Sequence, residues 1–399
     1  TLPGQWGGVA SSVQITVGVQ PSGVDVADFD GDGDIDIVVS NANDNDVDII
    51  TNSLLLFAAE TAEADPAFRG ATFSITNSVN VGNQPVDVLA ADIAGDDSTD
   101  IVAVNRIDGT ITILPNDGAG GFSAVTGSTV STGSDPTGAD SGDVDNDKDI
   151  DVVVTRDNSS TTLRGPGPAG ELVVLQNLGG MMFQTSNYPV GANPVDVEIT
   201  ELTTDLFADI VVVNRDDNTI SLLTNDQTGL FQVQNPIPAG TTPRSITSFD
   251  SNADGRNDLA LVTDDALANR VVRVYRNTAD VMGNVSFIND GDFTNMLNPV
   301  LVKAADVDNN GAVDIVAVNE DGGVVLRGED GSLSAFLNDT VVFSSGDLNF
   351  DGIVNAADLG EILGSWGPCP AEPAPCPTDL DGDGFTNASD LAILLNEWN

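Results

Sequence analysis

Short runs of apolar residues, rich in valine, isoleucine and threonine, follow one another along the first 345 residues of this chain. Residues 86–90 (Val-Asp-Val-Leu-Ala) alternate strictly, whereas residues 210–213 (Ile-Val-Val-Val) are continuously apolar. Both patterns, at this length and with β-branched side chains, predict strands. No amphipathic helical pattern occurs before residue 355. The pattern therefore predicts an all-β fold for most of the chain.

These strands belong to a unit that occurs six times. A turn containing proline precedes a first strand, an aspartate-rich loop and a second strand, and a third strand and a Gly-rich turn then lead to an outer strand. Repeats of about 50 residues with four short strands each are typical of β-propeller blades. The six loops begin at Asp28, Asp92, Asp143, Glu201, Asp250 and Asp306.

Carboxylates recur within the loops at positions 1, 3, 5 and 9, as in Asp28, Asp30, Asp32 and Asp36. A hairpin loop with this spacing turns several oxygens onto one hard cation, and calcium accepts many oxygen ligands in a flexible geometry. The recurrence of the spacing predicts calcium at several blades.

The repeat and its loop resemble the FG-GAP and VCBS families, which include the integrin α-subunit β-propeller, over roughly residues 10–343. The resemblance implies a six-bladed β-propeller, or a seven-bladed one, with an ion in the loop between the first two strands of a blade. The ligands that it implies are Asp28, Asp30, Asp32 and Asp36, then Asp143, Asp145, Asp147 and Asp151, then Asp250, Asn252, Asp254 and Asp258, and finally Asp306, Asp308, Asn310 and Asp314.

Two loops depart from this pattern. The second has Ala94 at position 3 and retains Asp92, Asp96 and Asp100. The fourth has Glu201, Thr203, Asp205 and Asp209, with Leu206 where a glycine often allows the turn. We expect these two loops to be weak or empty.

Residues 11–19 read like an outer strand that arrives before any first strand. These residues are a candidate to close the last blade, which begins near residue 299, because an open sheet edge promotes association. Alternatively, they are a strand donated to a neighbouring molecule. Residues 333–343 also read as an outer strand for that blade, so one of the two segments is spare or there is a seventh, partial blade.

Residues 346–399 form a second predicted domain. Two twelve-residue loops, 347–358 and 379–390, have the EF-hand spacing with Asp at position 12, and each precedes one amphipathic helix. This arrangement resembles a type I dockerin, although alanines largely replace the Ser/Thr pair that contacts cohesin. The implied calcium ligands are Asp347, Asn349, Asp351, Asn355 and Asp358, then Asp379, Asp381, Asp383, Asn387 and Asp390.

The only two cysteines, Cys369 and Cys376, lie in a Pro-rich turn between these loops, and the chain has no histidine. A disulfide between them is favoured over free thiols or zinc and indicates an oxidising compartment.

The net charge of −49 makes nucleic acids and anionic membranes poor partners. No apolar stretch is long enough to span a membrane, and Thr1 reads as a processed N-terminus.

These features predict a secreted protein that binds about six calcium ions and is a structural or adhesion protein rather than an enzyme. Its expected partners are copies of itself, or an extracellular protein or glycan, bound through its termini. One alternative is a solitary glycan- or protein-binding module anchored by the tail. Another is a calcium-dependent polysaccharide lyase or hydrolase that uses arginines following the second strands, although ion pairing is the simpler role for Arg106, Arg156 and Arg215.

Overall fold

The computed structural model describes residues 15–54, 71–123, 127–157, 170–203, 205–252, 254–265, 267–279, 285–293, 298–305, 313–319, 332–336, 367–368 and 385–386. The chain divides into two compact units. The first comprises Thr1–Phe249, Gly255–Lys303 and Val316–Ser334, and the second comprises Asp250–Asp254, Ala304–Ile315 and Ala335–Asn399.

The described residues are all-β, as predicted, and none of them is helical. Three antiparallel sheets of four strands each come first, and in each the strands pair in chain order. They are β1 to β4 (Pro21–Ala27, Asp36–Asn41, Asp46–Leu54, Ala71–Asn80), β5 to β8 (Pro85–Ala91, Asp100–Asn105, Thr110–Leu114, Ser128–Ser131) and β9 to β12 (Pro136–Gly142, Asp151–Arg156, Glu171–Asn177, Phe183–Pro189).

The fourth sheet has a divided outer strand and the sixth has three strands, while a separate two-stranded pair follows near the C-terminus. Within the described residues no helix is long and apolar enough to cross a membrane. The strands are β13 to β17 (Pro194–Thr200, Asp209–Asn214, Thr219–Asn225, Phe231–Val233, Ile237–Pro238), β18 to β21 (Thr241–Phe249, Asp258–Asp264, Arg270–Asn277, Phe287–Phe293), β22 to β24 (Pro299–Ala305, Asp314–Asn319, Ser332–Phe336) and the pair β25 and β26 (Gly367–Pro368, Phe385–Thr386).

Apolar clusters fill the space between consecutive sheets of the first unit. The cluster between the first two sheets includes Val38, Ile49 and Ile101, and a T-shaped contact joins Phe29 to Phe122, with ring centroids 5.6 Å apart. Similar clusters lie between each of the next pairs of sheets up to the fifth. Middle strands are therefore apolar on both faces, which explains continuous runs such as residues 210–213.

Near the start of each first strand, a residue with positive φ immediately precedes the proline. Such a conformation is uncommon for residues other than glycine, and the sequence pattern did not predict it. The residues and their φ angles are Gln20 (60°), Gln84 (55°), Asp135 (53°), Asn193 (51°), Thr242 (47°) and Asn298 (56°).

The segment that was predicted as an N-terminal outer strand forms no strand over residues 15–20, and residues 11–14 lie outside the described part. Aspartate side chains bind its backbone amides instead. The Gly18 amide donates to Asp48 Oδ2 at 2.9 Å and the Val19 amide to Asp44 Oδ2 at 2.5 Å. Within the alternative segment, 333–343, residues 333–336 belong to β24.

Candidate metal centres in the aspartate loops

The aspartate at position 9 of each loop is buried, and in the first four loops it acts as a hydrogen-bond bridge. In the first loop, Asp36 Oδ2 accepts from the Phe29 amide at 3.0 Å, and Asp36 Oδ1 accepts from the Asn52 amide, at the end of the third strand, at 2.7 Å. Asp100, Asp151 and Asp209 make the same two bonds in their own sheets. This aspartate thus joins its loop to the third strand.

The asparagine at the end of the third strand extends this bridge to the preceding sheet. Asn116 Nδ2 donates to the carbonyl of Phe29 at 2.8 Å and to that of Thr99 at 3.0 Å. The equivalent bonds to the preceding sheet link Asn177 to Ile93, Asn225 to Val144 and Asn277 to Leu202. Position 9 therefore has a structural role that needs no metal, which explains why the two degenerate loops retain Asp100 and Asp209.

Carboxylates converge in the first loop. One ligand oxygen each of Asp28, Asp30 and Asp36 lies within 4.8 Å of the others. Asp28 is held by the amides of Gly31, at 2.8 Å from Oδ1, and Gly33, at 2.9 Å from Oδ2. Both glycines have positive φ, at 74° and 90°, which lets the backbone fold around the carboxylate. The pKa of Asp30 is raised by burial and then by the charges of Asp36 and other loop aspartates.

The third loop repeats this arrangement. Oxygens of Asp143, Asp145 and Asp151 lie within 4.8 Å of one another. Burial raises the pKa of Asp151 to about 7 against the lowering effect of hydrogen bonds from the Val144 and Asn177 amides, and repulsion from Asp145 and Asp147 adds a smaller increase. Asp145 Oδ1 is buried and has no hydrogen-bond partner within the described part of the chain. An all-oxygen donor set with an unsatisfied carboxylate oxygen fits calcium.

The position 5 aspartates of these two loops lie outside the converging groups. Asp32 and Asp147 are exposed and accept hydrogen bonds from their own loop amides, at Asp34 and Asp149 respectively, each at 2.9 Å. The sequence pattern treated all four positions as equivalent, whereas the structure brings together positions 1, 3 and 9.

The second and fourth loops show no such carboxylate group in the described residues. Asp92 accepts from three loop amides and Asp96 from one. In the fourth loop, Glu201 Oε1 accepts from the amide of Thr203 at 2.7 Å. Leu206 has a φ of 70° and is 88% exposed, so this turn keeps a left-handed conformation without the glycine that would favour it.

The remaining predicted ligands are described only in part. In the second unit, the Asp254 amide donates to Asp250 Oδ1 at 3.1 Å and to Asn252 Oδ1 at 2.9 Å. Asp258 and Asp314 are buried, like the other position 9 aspartates. Asp306, Asp308 and Asn310, the ligands of both C-terminal loops, the helices that follow these loops and the Cys369–Cys376 disulfide lie outside the described residues; of the second C-terminal loop only Phe385–Thr386, in β26, are described.

Three arginines lie at or just after the ends of second strands, and two of them form ion pairs. Arg106 Nε lies 3.4 Å from Asp135 Oδ1, and Arg156 pairs with Glu171 across β10 and β11. The predicted pairing with a nearby aspartate is confirmed for Arg106, whereas the partner of Arg156 is a glutamate. Arg215 has no ion pair among the described residues.

The sequence analysis missed a second acidic group, on the first strands of the sheets. Asp87 Oδ1 accepts from the Val88 amide at 3.0 Å, and Asp87 Oδ2 accepts from the Ala139 amide, on the next first strand, at 3.0 Å. The available signal was an acidic residue two or four positions after the proline of a first strand, as in Asp87 and Asp25. The carboxylates that make such bridges are Asp25, Asp87, Asp140, Asp196 and Glu198.

Four of these acids, Asp25, Asp87, Asp140 and Asp196, line a cavity of about 500 Å³ together with Lys303 from β22. Burial raises the pKa of Asp87 and of Glu198 to about 7. Desolvation opposes the charged form of Lys303, but the surrounding carboxylates outweigh it, so the pKa of the Lys303 ammonium is raised. Lys303 is therefore an internal counterion for these acids.

Two segments of the chain, residues 92–154 and 202–261, match the family model described as "FG-GAP-like repeat". The chain thus contains FG-GAP-like repeats, as the loop pattern predicted. Each matched segment begins at or next to position 1 of a loop. No curated protein matches the chain significantly.

Several solved structures resemble the fold at low sequence identity. BBS1N, in a structure titled as its complex with ARL6DN soaked with lead, has 14% identity and a TM-score of 0.49 over 75% of this chain and 76% of that one. A functionally unknown protein from Desulfotomaculum acetoxidans has 15% identity and a TM-score of 0.49 over 75% and 78%. A protein from Lactobacillus plantarum has 12% identity and a TM-score of 0.46 over 76% and 78%.

Proposed function

We propose that this protein binds calcium through the loops of its first and third sheets, and that the bound ions stabilise a six-bladed β-propeller. The observation that carries the proposal is the convergence of Asp28, Asp30 and Asp36, and of Asp143, Asp145 and Asp151. Calcium at these places neutralises carboxylates that otherwise repel one another. The loop pattern extends the proposal to the fifth and sixth loops and to two sites in the C-terminal tail, about six ions in all.

The chain's own residues prepare each of the two sites before an ion binds. Loop amides hold both oxygens of Asp28, and two further amides hold both oxygens of Asp36. Each carboxylate oxygen has two lone pairs, so an oxygen that accepts one amide can still ligate a metal. Asp30 supplies the less constrained carboxylate. Because little side-chain entropy is left to lose, this preorganisation favours binding.

Closure of the sheets into a ring is supported by the cavity that contains Lys303. Apart from Val39 on β2, its lining residues come from the first strands of the first four sheets, from Ser245 in the fifth and from Leu301 and Lys303 in the sixth. Six first strands around one cavity are expected for a six-bladed propeller, in which these strands surround the central channel.

A calcium count on substituted proteins tests the proposal. Asp30→Ala and Asp145→Ala should each reduce the calcium bound per chain by one ion, because each removes the position 3 ligand from a converging group, as Ala94 does in the second loop. Asp96→Ala is the matched control and should change nothing, since Ala94 has already removed the neighbouring ligand of that loop. Mass spectrometry of metals after equilibrium dialysis gives the count. Equal losses in the three variants would refute the assignment of sites.

We further propose an extracellular structural or adhesion role without catalysis, in which the dockerin-like tail and its disulfide dock the propeller to copies of itself or to another surface. The repeated loops, the net charge of −49 and the engagement of Arg106 and Arg156 in ion pairs support this role over the polysaccharide-active alternative. Sedimentation of the full chain and of a chain lacking residues 346–399 tests the docking. Identical monomers in both, with and without calcium, would contradict self-assembly.

A further inference from the structure

The Arg106–Asp135 ion pair shows how one sheet of this protein contacts the turn that begins the next. Arg106 directly follows β6 in the second sheet, and its amide donates to the Gln84 carbonyl at 2.9 Å. Its partner Asp135 belongs to the third sheet and is the residue with positive φ just before Pro136. In this sheet, the arginine after the second strand therefore pairs with the pre-proline residue of the next sheet.

Arg215 occupies the same position in the fourth sheet. It directly follows β14, and its amide donates to the Asn193 carbonyl at 2.9 Å, as the Arg106 amide does to Gln84. The residue equivalent to Asp135 is Thr242, which precedes Pro243 and also has a positive φ. A threonine has no carboxylate, and the Thr242 hydroxyl donates to Asp264 Oδ2. Arg215 thus has the backbone position of Arg106, but the pre-proline residue of the next sheet offers it no carboxylate.

A second arginine adds to the positive charge at this place. Arg244 lies two residues after Thr242 on β18, and the Nε atoms of Arg215 and Arg244 are both buried without a hydrogen-bond partner among the described residues. Burial lowers the pKa of Arg215, and the charge of Arg244 is the next largest cause. In a chain with only 13 basic residues against 62 acidic ones, two neighbouring guanidinium groups that form no ion pair within the described part of the chain are unusual.

The acids beside Arg215 are engaged elsewhere. Asp216 Oδ1 accepts from Asn193 Nδ2 at 3.0 Å, and Asp217 Oδ2 accepts from the Ala192 amide at 2.7 Å. Asp216 still contributes a favourable charge to Arg215, whereas Arg270 adds a further unfavourable one. The sum of these neighbouring charges is positive, so it favours one more negative charge between the fourth and fifth sheets.

We propose that Arg215 and Arg244 bind a carboxylate group of a ligand at the place that the Asp135 carboxylate occupies beside Arg106. The planar guanidinium group matches a carboxylate in shape and can donate two parallel hydrogen bonds to it. The large negative charge of the protein repels multiply charged anions, so the fitting ligand is a monocarboxylate. This site is independent of calcium and goes beyond the proposed function.

Substitutions at Thr242 test the proposal without touching either arginine. Thr242→Asp supplies an internal carboxylate and should weaken ligand binding at least tenfold. Thr242→Asn is the matched control: asparagine has nearly the same size, occurs at this position in Asn193 and Asn298, and can still donate to Asp264. It should bind as the natural protein does. Arg215→Gln should also lose binding.

Acetate serves as the probe, with acetamide as its uncharged counterpart, at constant ionic strength and saturating calcium. Saturable shifts of two arginine Nε–H resonances in NMR spectra are expected with acetate alone, in the natural protein and in Thr242→Asn. Melting curves establish that each variant is folded. The proposal is overturned if acetate produces no saturable shift in the natural protein, if acetamide acts equally, or if Thr242→Asp and Thr242→Asn bind acetate equally well.

Discussion

Removal of calcium with excess EGTA is expected to lower the melting temperature of the protein by about 10 °C or more. Each site that binds only the native state adds about 2.7 kcal/mol at a calcium concentration of one hundred times the Kd. The two sites of the first and third sheets alone thus add about 5 kcal/mol, and the four proposed propeller sites add about 11 kcal/mol. With an unfolding entropy of about 2.1 cal/mol/K per residue, a propeller of about 330 residues shifts by about 1.4 °C for each kcal/mol, so two sites give about 7 °C and four give about 15 °C. Calorimetry with and without EGTA measures the shift.

The matched control is the double variant Asp30→Ala, Asp145→Ala. It should melt below the natural protein in calcium and respond much less to EGTA, because two of the proposed ions are already absent. Magnesium at the same concentration should not restore the melting temperature, since it prefers six ligands in a strict octahedron. Melting curves of the natural protein that coincide in calcium and in EGTA would exclude a stabilising role for the ions.

Asp100→Ala is expected to cost about 3 kcal/mol or more of unfolding free energy, although its loop is not proposed to bind calcium. The Asp100 carboxylate accepts from the amides of Ile93 (3.0 Å), Ala94 (2.8 Å) and Asn116 (2.8 Å). Its removal leaves buried donors unsatisfied, at about 1–3 kcal/mol each. Urea unfolding in EGTA measures the loss, which should be the same in calcium.

Asp96→Ala is the control for this substitution. Asp96 is exposed and accepts one bond, from the Ser98 amide of its own loop at 3.1 Å, so the change should cost less than 1 kcal/mol, as at most surface positions. If Asp100→Ala were no more destabilising than Asp96→Ala, the bridging role of position 9 would be wrong. A loss seen only in calcium would make Asp100 a metal ligand instead.

The strands could be predicted from the sequence because their hydrophobic pattern reports directly on burial. Residues 210–213 lie between two apolar clusters and are apolar at every position, and the prolines marked the starts of the first strands. The positive φ angles of the residues before those prolines could not be predicted from the sequence. Glutamine, aspartate, asparagine and threonine all occupy this position, so no single residue type signals the conformation.

The candidate site was predictable in composition but not in the role of each residue. Spacing alone indicated that aspartates at positions 1, 3, 5 and 9 share a loop. It could not show that Asp36 is bonded to Asn52, sixteen residues later, or that Asp32 faces solvent. Those facts depend on which amides the folded strands leave without partners, and that is set by the packing of one sheet against the next.

Anomalous scattering tests the central claim most directly. Crystals grown in calcium, with data recorded at two wavelengths, should show a calcium peak among the carboxylates of Asp28, Asp30 and Asp36 and another among those of Asp143, Asp145 and Asp151. The second loop, around Asp92 and Asp100, should show none. Absence of anomalous density from the first and third loops of a calcium-saturated crystal would contradict the account.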